Sequence, residues 1–443
     1  MVEVTSVPRR LSVATLVALC GTELSALAAL VGPLVIGLQL RAYDVSSSLV
    51  VEARLSWAEG TGAAAAMVAN PVFGWLSDRY RERTGSRAAW IVLGSVGGLG
   101  ALWFAATAST LVGLVVAWCC AQAAYNATFA ALYGTIADLV TPEDRARVSG
   151  WFAGSAMGAL VLGSAFAALL VSGAAGDTAQ ETTAVLTIGA WCAVPISVAS
   201  AWHIHRVVRA AGVPTRRPTA DGRSAGHHSG PSTTAAFWWL WTQRLLAQTA
   251  YGFTTVYGVF VLIRRVGLER ADAAFVVALT SATSAALAMM LAMVVARRAA
   301  ERFGARTILG VGVGAILVAN LLLAVTVSVP GYVAALLCAG CGLGLYASVD
   351  LAAALAVAPR GAEGRYLGVF NAARTLPQTL VPVLGPFVLA TGSDALGRDR
   401  SQNYLMFFAL GTVVAIAALA LLGRLTLPGR DGRIVLSNAA ESR

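Results

Sequence analysis

Residues Asn70 to Trp90 read NPVFGWLSDRYRERTGSRAAW, and the fold turns on this stretch. It opens as the end of a long apolar run and becomes charged within one helical turn. Gly74, Asp78 and Arg79 come first, then Arg81 and Arg83, then Gly85 and Arg87, and a new apolar run follows directly. So short a charged connection between two membrane-length apolar segments has to lie at a membrane surface. Gly74 is expected to let a neighbouring helix approach closely, and Gly85 to permit a tight turn.

Composition agrees with that placement. The 443 residues are 57% hydrophobic and 12% charged, with a mean hydropathy of +0.72. A soluble domain carries about twice that share of charge. The chain is therefore expected to be an all-α polytopic membrane protein. Apolar runs predict twelve transmembrane helices, at about 11–38, 56–76, 88–109, 112–139, 149–172, 185–205, 236–263, 272–296, 307–328, 332–357, 366–390 and 403–423. Each run is long enough for a hydrocarbon core of about 30 Å. The first is read as a span and not as a cleaved signal, because its apolar character continues and many such runs follow.

Arginine sets the orientation. Every basic side chain is Arg, with no Lys in the chain. With both termini in the cytoplasm, 23 arginines fall on inner segments and 7 on outer ones, the remaining 2 of 32 lying within spans. That asymmetry puts both termini inside a cell inner membrane. The net charge of +10 then reflects topology and contact with anionic lipid, and nucleic acid is not expected as a partner.

Residues 206–235 have no apolar period and contain Pro214, Arg216, Arg217, Pro218, His227 and His228. They read as a cytoplasmic linker, with the His pair solvated. The linker divides the chain into 1–205, a first six-helix bundle, and 236–424, a second, with 425–443 as a cytoplasmic tail. The halves share landmarks. Arg147-Val-Ser-Gly150-Trp-Phe152 recurs as Arg365-Tyr-Leu-Gly368-Val-Phe370 at an offset of 218, and Gly85-Ser-Arg87 recurs as Gly304-Ala-Arg306 at 219. Two landmarks at nearly one offset predict a duplication, with two pseudo-symmetric bundles.

The Gly74, Asp78-Arg79, Gly85-x-Arg87 pattern resembles the loop between helices 2 and 3 of the major facilitator superfamily. Its Asp-Arg-x-Arg-x-Arg-x-Gly-x-Arg spelling is most similar to the sugar and cation symporter (glycoside-pentoside-hexuronide) branch. The resemblance implies a monomeric transporter for a small-molecule solute, with its site between the halves near the midplane. It also implies a cytoplasmic gate made of Gly74, Asp78, Arg79, Gly85, Arg87, Asp138, Arg145 and Arg365, in which Asp78 meets the start of helix 11 and Arg87 reaches toward Asp138. The sodium-binding acids of those symporters precede the Asn-Pro of helix 2. Here that stretch reads Gly62-Ala-Ala-Ala-Ala-Met-Val-Ala-Asn70-Pro71, so a proton gradient is the expected energy source, and no cofactor is implied.

Charges inside spans are costly and mark function. Glu23 and Asp350 are the candidate proton-coupling acids. Gln122, Tyr125 and Asn126 on helix 4, Arg244, Gln248 and Tyr251 on helix 7, and Asn371, Arg374 and Gln378 on helix 11 form polar strips for a solute. A purely apolar drug would leave such donors unpaired, so a sugar-like or acidic solute is favoured. The alternatives are a drug or metabolite exporter and a non-transporting sensor on the same fold. Gly154, Gly158 and Gly163 lack the Gly-Pro of drug/proton antiporters. No phosphate loop, catalytic triad or metal constellation points to an enzyme. The six cysteines, including the Cys338-x-x-Cys341 pair, read as packing residues.

Overall fold

The computed structural model describes residues 11–45, 51–139, 145–173, 178–210, 231–292, 302–357, 363–397 and 402–423. The regular elements among them are helices. Two compact units divide the chain, Met1–Thr219 and Ala220–Arg443. The first holds α1 (Val13–Asp44), α2 (Val51–Thr84), α3 (Ala88–Thr107), α4 (Leu111–Leu139), α5 (Arg145–Gly173) and α6 (Thr178–Ala210). The second holds α7 (Pro231–Thr255, resumed as Gly258–Val266 after a 46° bend), α8 (Arg270–Met290), α9 (Ala305–Val325), α10 (Val329–Val357), α11 (Glu363–Leu389) and α12 (Tyr404–Leu422).

Among the described residues, nine helices are long and apolar enough to cross a membrane, and bent α7 makes ten. α2 falls short because its charge-free stretch, 60–77, is only weakly apolar, rich in Gly and Ala and interrupted by Asn70 and Pro71. α11 contributes the shorter apolar stretch Leu376–Leu389, with Pro377, Pro382 and Pro386 inside the helix.

Local chemistry sets the helix ends. Ser12 accepts from the Thr15 amide at 3.2 Å to cap α1, and Asn403 accepts from the Met406 amide at 2.9 Å to cap α12. The charged stretch expected as a surface loop is helical up to Thr84. Arg and Glu are good helix formers, and nothing breaks the helix before Gly85. The turn itself is Gly85 to Arg87, with Gly85 at φ +79°; Gly304 stands at φ +81° before α9. Only glycine takes that conformation without strain. α6 likewise runs to Ala210, past the expected end at 205, and most of the expected linker (211–230) lies outside the described residues.

The units repeat one packing scheme. In unit 1, α3 packs on α4, α2 on α4, α1 on α6, α3 on α6 and α1 on α5. Six helices on, α9 packs on α10, α8 on α10, α7 on α12, α9 on α12 and α7 on α11. The repeat extends to single residues. A Cβ at Gly94 would run into Ala124 and Thr128, and one at Gly312 into Gly342 and Tyr346, each pair 218 residues apart. Small residues at these crossings let backbones approach where lipid removes the hydrophobic drive between helices. Phe152 and Phe370, also 218 apart, are both buried in their units' cores. Outward faces are apolar: Phe387 is 74% and Val112 72% exposed. Such a surface is a liability in water and the correct one in hydrocarbon.

Candidate functional site

At the turn between α2 and α3, Arg87 is 3% exposed and gathers three partners. Its Nη1 contacts Asp78 and donates to Ser77 Oγ at 3.1 Å, and its Nε donates to Asp138 Oδ2 at 3.1 Å. Arg81 Nη1 lies 3.6 Å from the other Asp138 oxygen. The helical run of α2 past the loop expected from sequence is what puts Ser77 and Asp78 on Arg87 and Arg81 on Asp138. Asp138 is thereby held between two guanidiniums within unit 1. The side chains of Arg145 and Arg365 lie outside the described residues, and Arg79 is exposed, its guanidinium 5.6 Å from the Trp75 ring. A Cβ at Gly74 would meet no described atom within 4 Å.

Glu23 lies in the middle of α1 at 4% exposure. Tyr133 of α4 donates to its Oε1 at 3.1 Å, and Ser155 of α5 lies 2.9 Å from its Oε2. Ser155 Oγ is also 2.9 Å from the Phe152 carbonyl. A hydroxyl has one proton, so Ser155 either donates to an ionised Glu23 or donates to Phe152 and accepts from a protonated one. The pocket therefore serves both forms of the acid.

In unit 2, Arg244 Nη2 lies 3.1 Å from Asp350 Oδ2, with both side chains at least nine-tenths buried. The Arg244 guanidinium rests 4.0 Å from the Phe370 ring centroid, a cation–π contact between α7 and α11. Tyr346, one turn before Asp350, donates to Gln243 Oε1 at 2.8 Å. Arg244 Nε, Asp350 Oδ1 and Gln243 Nε2 are buried without a hydrogen-bond partner among the described residues. Arg374 is exposed, with no ion pair among the described residues, yet near enough for its charge to act on both Arg244 and Asp350.

The other predicted strips are only partly assembled. Gln122 and Asn126 share one side of α4, where Asn126 Oδ1 accepts from Asn70 of α2 at 3.3 Å and its Nδ2 donates to the Gln122 carbonyl. Tyr125 does not join them. It is fully buried, its ring lies against Gly98 of α3, and its hydroxyl has no partner among the described residues. The cause is helix geometry, since a residue one position away points about 100° elsewhere. Gln248 and Tyr251 are half-buried, Tyr251 packing on the unit's core. Gln378 is exposed on α11, one turn from Arg374, and the Asn371 side chain lies outside the described residues.

Sequence reasoning missed one pair. Arg265, read as a loop charge, is fully buried and grips Asp394 through Nε at 2.5 Å and Nη2 at 3.2 Å. Its Nη1 caps the carbonyl end of α9 at Leu323 (2.7 Å) and Ala324 (3.1 Å). In unit 1, Arg41 donates to the Ala108 carbonyl just past α3 at 2.6 Å. In each unit an arginine ending the first helix caps the third. A π-helical turn at Leu262–Val266 aims Arg265 inward, and no sequence period marks such a turn.

The sequence profile of the Major Facilitator Superfamily matches residues 12–382 and, in a second segment, 280–441. Among solved structures, the chain is similar to a mutant of the peptide transporter POT in complex with alafosfalin. The identity is 15% and the TM-score 0.71, over 96% of this chain and 98% of that one. It is also similar to a bacterial homologue of the human lysosomal transporter Spinster in an inward-facing, unoccupied conformation (15%, TM-score 0.64, 93% and 95% covered). The nucleoside transporter NupG, as a mutant, is a third (14%, TM-score 0.60, 92% and 99%). No curated protein matches the sequence.

Proposed function

This chain belongs to the Major Facilitator Superfamily, and we propose that it is a secondary active transporter moving a small polar solute, sugar-like or acidic, by alternating access between two six-helix bundles. α2 and α11 complete twelve crossings, and both termini face the cytoplasm of a cell inner membrane. Proton movement through Glu23, with Asp350 as a second acid, drives the cycle.

One observation carries the solute class. The Arg244–Asp350 pair is close to neutral as a unit, so Arg374 beside it brings a positive charge that no described side chain compensates. A guanidinium on a spanning helix needs water, a counter-charge or a hydrogen-bonding solute. An anionic or hydroxyl-rich solute meets that need, and a lipophilic cation is repelled. The similar structures named above include carriers of peptides and nucleosides, which are polar solutes. Glu23 supports proton coupling, because Ser155 fits both of its protonation states.

The test is a thermal-shift screen of the purified chain against sugars, organic acids, peptides, nucleosides and lipophilic cations, followed by counterflow of each hit in proteoliposomes. Stabilisation by polar solutes that then exchange across the membrane is expected. Exchange of lipophilic cations alone would overturn the solute class, and binding without exchange would overturn the transporter reading.

A further inference from the structure

Glu59 stands about two turns into α2 and is 6% exposed. Unlike Glu23, it has no hydrogen bond and no ion pair among the described residues. The groups around it offer no charge. α4, the main partner of α2, has no charged residue from Leu111 until Asp138 at its far end. The end of α1, the other element on α2, brings Arg41 and Asp44, which pair with each other at 3.2 Å. On α2 itself, Glu52 and Arg54 lie one to two turns back, and the Arg54 guanidinium donates to the Val45 carbonyl at 2.7 Å.

One turn along α2 from Glu59 lies an unsatisfied donor. Trp118 of α4 is fully buried, and its Nε1–H has no hydrogen-bond acceptor among the described residues. The indole edge carrying that nitrogen lies against Gly62, one turn on from Glu59 and on the same side of α2, so closely that a Cβ at Gly62 would overlap it. A buried acid and a buried donor thus stand about one turn apart across the α2–α4 contact, each without a partner among the described residues.

Leaving either group unsatisfied costs free energy, and an ionised carboxylate here costs the most. Burial without a described partner disfavours the ionised form in this conformation. A shift of α2 along α4 by about one turn would bring the carboxylate to the indole N–H, a charge-assisted bond that stabilises the ionised form. We propose that Glu59 is a proton-binding site of unit 1, separate from Glu23, and that Trp118 is the positioning residue that accepts its deprotonated form. The proton leaves the Glu59 carboxyl for water as the α2–α4 contact shifts, and returns when the contact resets. The inference rests on the transporter reading for its use in a cycle but not for the protonation itself.

The experiment is infrared difference spectroscopy of the full-length purified protein, with the proton as the probe, stepped between mildly acidic and mildly alkaline buffer. A carboxylic-acid C=O band that titrates in the wild type, disappears in Glu59→Gln and survives in Glu23→Gln is the expected result. In Trp118→Phe, which keeps an aromatic ring but has no N–H donor, the band should persist with its midpoint moved to higher pH, because the ionised form has lost its donor. Should Glu59→Gln fail to fold, the Trp118→Phe shift and a displaced band in Glu59→Asp carry the test. A band unchanged in Glu59→Gln, or an unshifted midpoint in Trp118→Phe, overturns the proposal. Wild-type titration without any solute exchange would sink the transporter reading and leave this site standing.

Discussion

Arg87 Nε and Asp138 Oδ2 lie 3.1 Å apart between the start of α3 and the end of α4, with 3% and 6% of their side chains exposed. Arg87 also holds Asp78, which is 59% exposed. The two acids therefore differ in what they contribute. Removing one partner of a buried pair costs about 3–5 kcal/mol, and an exposed pair contributes about 1 kcal/mol or less. Asp138→Asn is expected to lower the unfolding temperature of the purified protein well below that of Asp78→Asn, which should instead slow transport turnover. Equal losses of thermal stability in the two variants would contradict this division.

The Arg265–Asp394 pair predicts the largest structural effect. Neither side chain is exposed, and Arg265 also satisfies carbonyls at the end of α9. Asp394→Ala leaves a buried guanidinium without its anion, and a loss of about 3–5 kcal/mol is expected. Arg41→Ala in unit 1 should cost less, since Arg41 is 14% exposed. Denaturant or thermal unfolding in detergent measures both, and a larger loss for Arg41→Ala would refute the ordering.

Arg244 and Asp350 should be coupled. Arg244→Gln strands an acid and Asp350→Asn strands a cation, so each alone is destabilising. The double variant removes both charges and is expected to be more stable than either single variant. A double-mutant cycle by thermal unfolding reads this, and strictly additive losses would show that the pair is not an energetic unit.

Arg374 decides solute affinity in this scheme. Arg374→Ala should weaken binding of an acidic or hydroxyl-rich hit by about 2 kcal/mol or more, the scale for a lost hydrogen bond to a charged group. Arg374→Lys should rescue in part, because a point charge lacks the planar fork. Calorimetric titration of the three proteins is the check, and identical affinities would remove Arg374 from the site.

Orientation can be tested by chemistry. Single cysteines placed within 206–234, in a background with the six native cysteines replaced, are expected to resist an impermeant thiol reagent in intact cells and to react after lysis. Equal labelling before and after lysis would reverse the topology.

The sequence alone determined the class of structure and its duplication. Apolar runs of membrane length leave helices as the economical answer, since hydrocarbon cannot satisfy an open backbone. Gly85-Ser-Arg87 and Gly304-Ala-Arg306 announced the repeat, because a left-handed turn before a helix needs glycine, and both glycines take it. The buried charges Glu23, Arg244 and Asp350 were legible for the same reason: the membrane makes each one expensive. Only the tertiary structure decided which groups meet. That Tyr125 turns inward while Asn126 meets Asn70 depends on helix rotation, which composition does not encode. Arg265 looked like an outer-loop charge until a π-helical turn carried it onto Asp394, far along the chain. Glu59 precedes Gly62 by three residues in α2. Its burial, and the idle indole of Trp118 beside Gly62, arise from the closeness of the α2–α4 crossing, a property of two helices together and of neither alone.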